Sequence, residues 1–180
     1  MRIIRGSHGG RKIIAPGNLP VRPTTDLAKE SLFNILDNHI YFEDIEVLDL
    51  FAGTGSISYE FASRGSKLVI AVDIHPRCVH FITDTAKKLK FDQLKVIRTS
   101  AFGFLQHSSS KYDLIFADPP YDLEGIEQIV EIVNEKQLLK ENGWLIIEHD
   151  RSKDFSGYAG FYQQRNYGKV NFSFFRKSGT

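Results

Sequence analysis

The chain has 180 residues, of which 42% are hydrophobic and 25% charged, and its formal net charge is +1. This composition is typical of one globular domain with a sizeable core, and it excludes disordered and fibrous proteins. With one cysteine, no metal-ligand spacing and no apolar run near the roughly 18 to 20 residues of a membrane span, we expect a cytoplasmic protein without disulfides, a bound metal or membrane contact.

The first 25 residues carry five basic side chains and no acidic one. Because the whole chain has a net charge of +1, this segment of +5 leaves −4 on the remainder. A basic arm on a mildly acidic body indicates that the protein binds a polyanion. The alternative is a solvated tail that is basic without binding one. Gly6, Gly9 and Gly10 between two apolar pairs predict a β-hairpin with Arg5 and Arg11 near its turn. We place this basic hairpin arm at residues 1–23.

Apolar runs and helical patterns alternate through the rest of the chain. Thr24, Thr25 and Asp26 are N-cap candidates for a first helix with apolar residues at helical spacing. The apolar runs predict strands at residues 47–51, 68–72, 95–97, 112–117 and 144–148. Because the runs are continuous and helical patterns lie between them, we expect a parallel sheet covered by helices on both faces. Aromatic-rich alternation after Asp150 predicts a closing antiparallel hairpin, and we assign residues 24–180 to one domain.

The first predicted strand leads into a glycine turn, in the stretch DLFAGTGSISYE. Gly53 and Gly55 would let a ligand approach the backbone at a helix N-terminus. A dinucleotide fingerprint would have a third glycine where Ser58 stands, and the carboxylate of Asp49 would repel a diphosphate but attract a cation. Asp73, 20 residues after Gly53, could accept hydrogen bonds from both ribose hydroxyls. A cationic adenosine without pyrophosphate fits these groups, which predicts S-adenosylmethionine as cofactor; for AGTG alone, an ordinary tight turn is the alternative.

The fourth predicted strand, YDLIFA, stops at the sequence DPPY. Asp118 would emerge at the carboxyl end of the strand, Pro119 and Pro120 stiffen the exit and withhold two N–H donors, and Tyr121 offers a flat aromatic face. An acid, a rigid backbone carbonyl and an aromatic ring together indicate a site rather than a simple strand end. A turn capped by Asp118, with Tyr121 only packing, is the structural alternative.

The DPPY stretch matches the motif [DNS]-P-P-[YFW] of class I methyltransferases that modify exocyclic amino groups. With IIRGSHGGRKI (3–13), RPTTDLAKESLFN (22–34) and LDLFAGTGSISYEFASRG (48–65), the chain resembles the bacterial RsmD family over nearly its whole length. The resemblance implies a Rossmann-like class I methyltransferase with a mostly parallel seven-stranded sheet. It also implies that the protein uses S-adenosylmethionine to methylate guanine N2 in 16S ribosomal RNA, either free or in a small-subunit assembly particle. We expect a monomer.

The resemblance also assigns roles to individual residues. The catalytic positions are Asp118, Pro119, Pro120 and Tyr121. The cofactor-binding positions are Asp49, Phe51, Ala52, Gly53, Thr54, Gly55, Asp73, Ile74, Ser100, Ala101, Phe102 and Asp118. The RNA-binding positions are Arg2, Arg5, Arg11, Lys12, Arg22 and Thr24. Ser100 stands where the family has Asp or Asn, and the adenine contact is assigned to Ser100 and Ala101.

Three other functions compete with this interpretation. DPPY also serves DNA adenine-N6 methyltransferases, but the chain has no inserted target-recognition domain. A non-catalytic RNA-binding protein could keep the fold, although the intact acids and glycines argue against lost catalysis. A nicotinamide-dependent oxidoreductase is disfavoured because the last glycine of its fingerprint is missing.

Overall fold

The computed structural model describes residues 1–21 and 24–177, and its centre is one seven-stranded sheet in the order β3-β2-β1-β4-β5-β7-β6. The strands are β1 (Glu46–Leu50), β2 (Leu68–Asp73), β3 (Leu94–Arg98), β4 (Tyr112–Ala117), β5 (Leu139–His149), β6 (Phe161–Tyr167) and β7 (Val170–Arg176). The helices are α1 (Asp26–Leu36), α2 (Ser56–Ser63), α3 (Pro76–Lys88), α4 (Ala101–His107) and α5 (Gln128–Glu135). The predicted parallel sheet is confirmed, since β1 to β5 run parallel and only β7 and β6 are antiparallel.

Two apolar cores cover the two faces of the sheet. One contains side chains of α1, α2 and α3, and the other contains side chains of α4 and α5. Neighbouring residues of a strand point to opposite faces, so Phe116 joins the first core while Ile115 and Ala117 join the second. Burial on both faces explains why the central strands read as continuous apolar runs rather than as alternating ones.

The predicted boundaries differ most from the structure at β5 and α5, and those of the other parallel strands differ by at most one residue at either end. The strand predicted at 144–148 begins at Leu139, which pairs with Tyr112 ahead of an irregularity in register between Tyr112 and Leu114. The helical pattern that starts at Leu123 becomes a helix only at Gln128, and Ile126 is buried from the preceding turn. The closing hairpin after Asp150 is confirmed as β6 and β7.

The N-terminal arm folds back on itself with less regular pairing than a hairpin. A single antiparallel bridge joins Arg2 and Lys12, and no strand is assigned to the arm among its described residues. Ile3 and Ile13 are buried in the same core as the apolar face of α1. Burial of these two side chains anchors the arm to the body, so extended strand pairing is not needed to hold it.

Within the described parts of the chain, no helix has both the length and the apolar character needed to cross a membrane.

Candidate active site

Acidic side chains gather where four neighbouring strands end. Asp49 and Asp73 lie at the carboxyl ends of β1 and β2, Asp118 directly follows β4, and Glu148 is the penultimate residue of β5. Asp49, Asp73 and Glu148 are buried, and Asp118 is half-buried. Since β2, β1, β4 and β5 are adjacent, these carboxyl groups share the edge of the sheet at which α/β proteins bind ligands.

The loop between β1 and α2 is held in an unusual backbone conformation. Phe51, Gly53 and Gly55 all have positive φ angles, of 60°, 56° and 79°. A Cβ atom at Gly55 would lie 2.7 Å from Cζ of Tyr59, whereas the nearest atoms to one at Gly53 would be those of Val21, at an ordinary contact distance of 3.6 Å. Gly55 is therefore required for packing against α2, while Gly53 leaves the backbone surface open to a ligand.

Asp73 connects the two neighbouring strand-end loops. Its carboxylate accepts hydrogen bonds from the N–H of Gly53 at 2.8 Å and of His75 at 2.7 Å. Each carboxylate oxygen has a second lone pair, so these bonds leave capacity for two hydroxyl donors. Ile74, the next residue, is 66% exposed and offers an apolar surface beside that carboxylate.

Asp49 is a buried acid with one side-chain hydrogen bond. Ser58, the residue at the third position of the glycine fingerprint, donates its hydroxyl to Asp49 Oδ2 at 2.5 Å. Burial raises the pKa of Asp49 to about 7, with the charges of Asp118 and Asp73 adding to the effect and the Ser58 bond opposing it. A cation near this carboxylate would relieve the cost of ionising it.

The DPPY residues leave the sheet as predicted from the sequence. Thr24, just before α1, donates its hydroxyl to Asp118 Oδ2 at 3.5 Å, which brings a predicted RNA-binding residue to a predicted catalytic one. Burial raises the pKa of Asp118 to about 7. Pro119 is buried, while Pro120 and Tyr121 are exposed, with Tyr121 54% accessible. The aromatic ring therefore lies on the surface beside the acid.

Ser100 has a structural role at the start of α4. Its hydroxyl accepts the N–H of Gly103 at 3.0 Å and so caps the helix. Asp and Asn are equally good N-caps, which explains how this position can differ from the family pattern without loss of the helix. Ala101 is buried, and the ring of Phe102 lies edge-on to Phe51 with centroids 6.4 Å apart. These side chains place the α4 end of the sheet next to the glycine loop.

The predicted RNA-binding residues of the arm fall into two groups. Arg2 lies 4.0 Å from Asp26, and Arg5 forms an ion pair with Asp37 at 3.0 Å. Arg11 and Lys12 are exposed and form no ion pair with the described residues. Arg22 lies outside the described residues. The structure thus separates arginines that help to attach the arm from cations directed at solvent.

Glu60 on α2 holds the N-terminal arm in place, a role that the sequence did not reveal. Its fully buried carboxylate accepts the backbone N–H of Ile4 at 2.7 Å and of Arg5 at 3.0 Å, and the Nε of Arg64 at 2.9 Å. Gly6 then passes so close to α2 that a Cβ atom would lie 1.9 Å from the carbonyl oxygen of Ser63. The arm is docked on the helix that follows the glycine loop.

Glu148 is the second residue that sequence reasoning missed. It is 4% exposed, and its Oε2 has no hydrogen-bond partner within the described residues. It lines a small cleft together with Pro119, Pro120 and Tyr121. An acid at the end of the WLIIE strand was the available signal, since the other acids of this edge also follow apolar runs.

Other reactive side chains do not assemble into a second centre. No group of three or more His, Cys, Asp or Glu residues in the described ranges could hold a metal ion. Cys78 is buried in the core, as expected for a packing residue. His149 is also buried, with its ring bonded to Ser173 Oγ and to the carbonyl of Asp150. These residues are part of the protein interior.

The family model described as Conserved hypothetical protein 95 matches residues 1–176. The chain belongs to this family. The resemblance to RsmD predicted from the sequence is confirmed, because RsmD-like proteins are the relatives found for it. The match includes the arm, the glycine loop and DPPY, so the family extends over both predicted parts of the chain.

Named relatives of the family are similar over most of this chain. This chain is 33% identical to "Putative rRNA methyltransferase YlbH" of Bacillus subtilis, over 99% of this chain and 100% of the relative. It is also 33% identical to "Ribosomal RNA small subunit methyltransferase D" of Haemophilus influenzae, over 85% of this chain and 80% of the relative. The solved structure "Putative methyltransferase yhhF from Escherichia coli" superposes with a TM-score of 0.86 at 24% identity, over 100% of this chain and 99% of that one. The fold is that of class I methyltransferases.

Proposed function

We propose that the protein transfers a methyl group from S-adenosylmethionine to the exocyclic N2 of a guanine in small-subunit ribosomal RNA. The observation that carries this proposal is the row of carboxyl groups at the ends of β2, β1 and β4, with the DPPY sequence beside it. Membership of the family and the printed names of its relatives support ribosomal RNA of the small subunit as the substrate class.

The glycine loop and its two acids form a suitable site for the cofactor. Asp73 would accept the ribose hydroxyls, and Ile74 with Ala101 and Phe102 would border the adenine, with Ser100 at the cap. Asp49 and the backbone of Phe51, Ala52, Gly53, Thr54 and Gly55 would lie along the cationic methionine part. The carboxylate of Asp49, whose pKa is raised by burial to about 7, would be stabilised in its ionised form by a positively charged group. When bound, S-adenosylmethionine supplies an electrophilic methyl group on its sulfonium.

The DPPY residues would position the attacking amine. An exocyclic amine is a weak nucleophile because its lone pair is delocalised into the ring, so catalysis depends largely on alignment. The carboxylate of Asp118 and the carbonyl of Pro119 would each accept one amine hydrogen and turn the lone pair toward the methyl group. Pro120 fixes the direction of the exit, and the exposed ring of Tyr121 would stack on the flipped-out base.

The N-terminal arm would hold the RNA backbone. Arg11 and Lys12 offer exposed charges, Arg2 and Arg5 lie beside acids of the body, and Thr24 reaches the catalytic Asp118. We therefore treat residues 1–23 as the RNA-binding arm and residues 24–180 as the methyltransferase domain. Together with Arg22, these residues would track phosphates toward the pocket of a monomer.

The product of the reaction decides the proposal. Purified protein would be incubated with labelled S-adenosylmethionine and, in separate reactions, with 16S ribosomal RNA, with small-subunit particles from a strain that lacks the gene, and with duplex DNA, and the nucleosides would be separated. We expect N2-methylguanosine. N6-methyladenine in duplex DNA would instead indicate a DNA methyltransferase, and binding of RNA without methyl transfer would indicate a non-catalytic RNA-binding protein.

A further inference from the structure

The side chain of Glu148 lacks the partner that a buried acceptor normally has. It is 4% exposed, and no donor reaches its Oε2 from the described residues. An unsatisfied buried acceptor costs free energy and is rare in native proteins. A donor supplied by a ligand would remove this cost.

The register of the sheet places Glu148 beside Asp118. Ala117 of β4 pairs with Ile147 of β5, so the residues that follow them are neighbours across the two strands. Because side chains alternate along a strand, Asp118 and Glu148 continue the row of Phe116 and Ile146 and share one face. Glu148 also lines the cleft formed by Pro119, Pro120 and Tyr121. The two carboxyl groups can therefore contact the same base.

None of the charged side chains described around the cleft neutralises the negative charge of Asp118 or Glu148. Burial, with the charge of Asp118, raises the pKa of Glu148 to about 8, and burial raises that of Asp118 to about 7. Asp49 on β1 adds negative charge, and Thr24 contributes only a hydroxyl. At the cleft, Lys153 is paired with Glu127, and the ring of His149 and the carboxylate of Asp150 have partners of their own. Oε2 of Glu148 has no partner within the described residues and the Thr24 hydroxyl donates to Oδ2 of Asp118, so each carboxyl group keeps an oxygen that can accept a hydrogen bond.

We propose that Glu148 determines the specificity for guanine by accepting the ring N1–H while Asp118 accepts the neighbouring amine. Among the RNA bases, guanine alone has an exocyclic amine next to a ring N–H. Adenine and cytosine present a ring nitrogen lone pair beside the amine, which would face the acceptor oxygen of Glu148. An enzyme that reads a flipped-out base along its Watson–Crick edge can use this difference. The inference rests on the proposed function and assigns its base selectivity to one residue.

The test compares guanine with 2-aminopurine, which keeps the 2-amino group but has a lone pair at N1. Once the methylated nucleotide is mapped, RNA with either base at that position would be made by ligation. Single-turnover methylation would be measured for wild type, Glu148→Ala and Glu148→Gln. Glu141→Gln is the matched control, since this exposed glutamate lies at the other end of the same strand. Thermal melting and calorimetric binding of S-adenosylmethionine would verify that each variant is folded.

For wild type we expect methylation of guanine at least about tenfold faster than of 2-aminopurine, since an acceptor facing a lone pair loses a hydrogen bond. This ratio should collapse in Glu148→Ala, fall in Glu148→Gln, whose amide can donate to N1, and stay unchanged in Glu141→Gln. Equal rates on both bases for wild type, or a ratio untouched in Glu148→Gln, would overturn the inference. Failure of wild type to form N2-methylguanosine at all would instead overturn the proposed function.

Discussion

At the scale of single residues, the acidic cluster at the strand ends is the feature that exceeds what folding requires. Asp49, Asp118 and Glu148 all have pKa values raised by burial, and the charges of their neighbours add to the rise for Asp49 and Glu148. In the folded protein the ionised form of each group lacks the hydration it has in the unfolded chain, so near neutral pH the folded state holds protons that the unfolded chain releases. The cluster therefore lowers the stability of the folded protein, and it does so at the edge of the sheet where ligands are expected to bind.

The first prediction concerns Asp118→Asn and its effect on stability. The folded pKa, about 7, lies above the ordinary pKa of an aspartate side chain, 3.8, so stability from protonation is present at low pH and is lost as pH rises through about 7. The neutral amide avoids that loss. At pH 8 we expect the free energy of unfolding of Asp118→Asn to exceed that of wild type by about 1 to 2 kcal/mol, which raises the melting temperature by a few degrees. This gain should shrink toward pH 4.

The measurement is thermal unfolding at several pH values. Asp122→Asn serves as the control, because Asp122 is an exposed acid in the same loop. A gain for Asp118→Asn that is as large at pH 4 as at pH 8 would show that its effect is unrelated to ionisation.

Three of the four acids could be predicted from the sequence. Asp73 and Asp118 directly follow apolar runs, and Asp49 lies in an apolar run that leads into the glycine turn, so the end of each strand was readable. Glu148 is not followed by a glycine or proline that would mark the end of the strand, and β5 continues through His149. The role proposed for it depends on lying beside Asp118, and that follows from the adjacency of β4 and β5 in the sheet.

At the scale of secondary structure elements, the arm and α2 form one unit. The sequence predicted the apolar pairs and turn glycines of the arm, and Ile3 and Ile13 are indeed buried. It could not reveal Glu60 as the acceptor, since an acid in a helix normally faces solvent. Glu60 is buried because the arm covers it and supplies two N–H donors. Lys29 lies 4.0 Å from the same carboxylate and donates to the carbonyl of Arg2.

The second prediction tests this docking with a pair of glycines in the arm. Gly6 and Gly10 both have positive φ, of 86° and 82°, but a Cβ atom would clash with Ser63 at Gly6 and meet nothing within 4 Å at Gly10. Both alanine variants suffer backbone strain of about 1 to 2 kcal/mol. Gly6→Ala must also displace the arm, so we expect it to lose clearly more stability.

Denaturant unfolding of both variants gives the comparison, and hydrogen exchange at the amides of Ile4 and Arg5 reports the docking itself. We expect faster exchange at these amides in Gly6→Ala only. Equal losses of stability, with unchanged exchange in both proteins, would mean that the arm is not held in place by its contact with α2.

At the scale of the whole molecule, charge is divided between a basic arm and an acidic edge of the sheet. The net charge of +1 conceals this division. The fold itself was predictable because continuous apolar strands and intervening helices leave few alternatives, and the seven-stranded sheet confirms it. The sequence could not predict which cations of the arm are available to a partner, because Arg2 and Arg5 form their ion pairs with residues distant in the sequence.

The third prediction concerns the salt dependence of RNA binding. If Arg11 and Lys12 contact phosphates, replacing both with alanine should reduce the slope of log affinity against log salt by roughly 1.5, at about 0.7 to 0.9 for each contact. Arg2→Ala/Arg5→Ala should change the slope less, because these side chains already have carboxylate partners. Affinity for S-adenosylmethionine should stay the same in both. The measurement is a salt titration of RNA binding, and identical slopes in all three proteins would place the RNA on another surface.

The contact between the arm and α2 also constrains the order of folding. The amide of Ile4 and its acceptor on Glu60 are 56 residues apart in the sequence. Closing so long a loop costs entropy before any contact compensates for it, so the arm cannot dock until α2 has formed on the sheet. During synthesis on the ribosome, the arm must therefore remain undocked while more than 50 further residues are added. For that interval its apolar side chains and all its cations are exposed together, beside the ribosomal RNA of the translating particle.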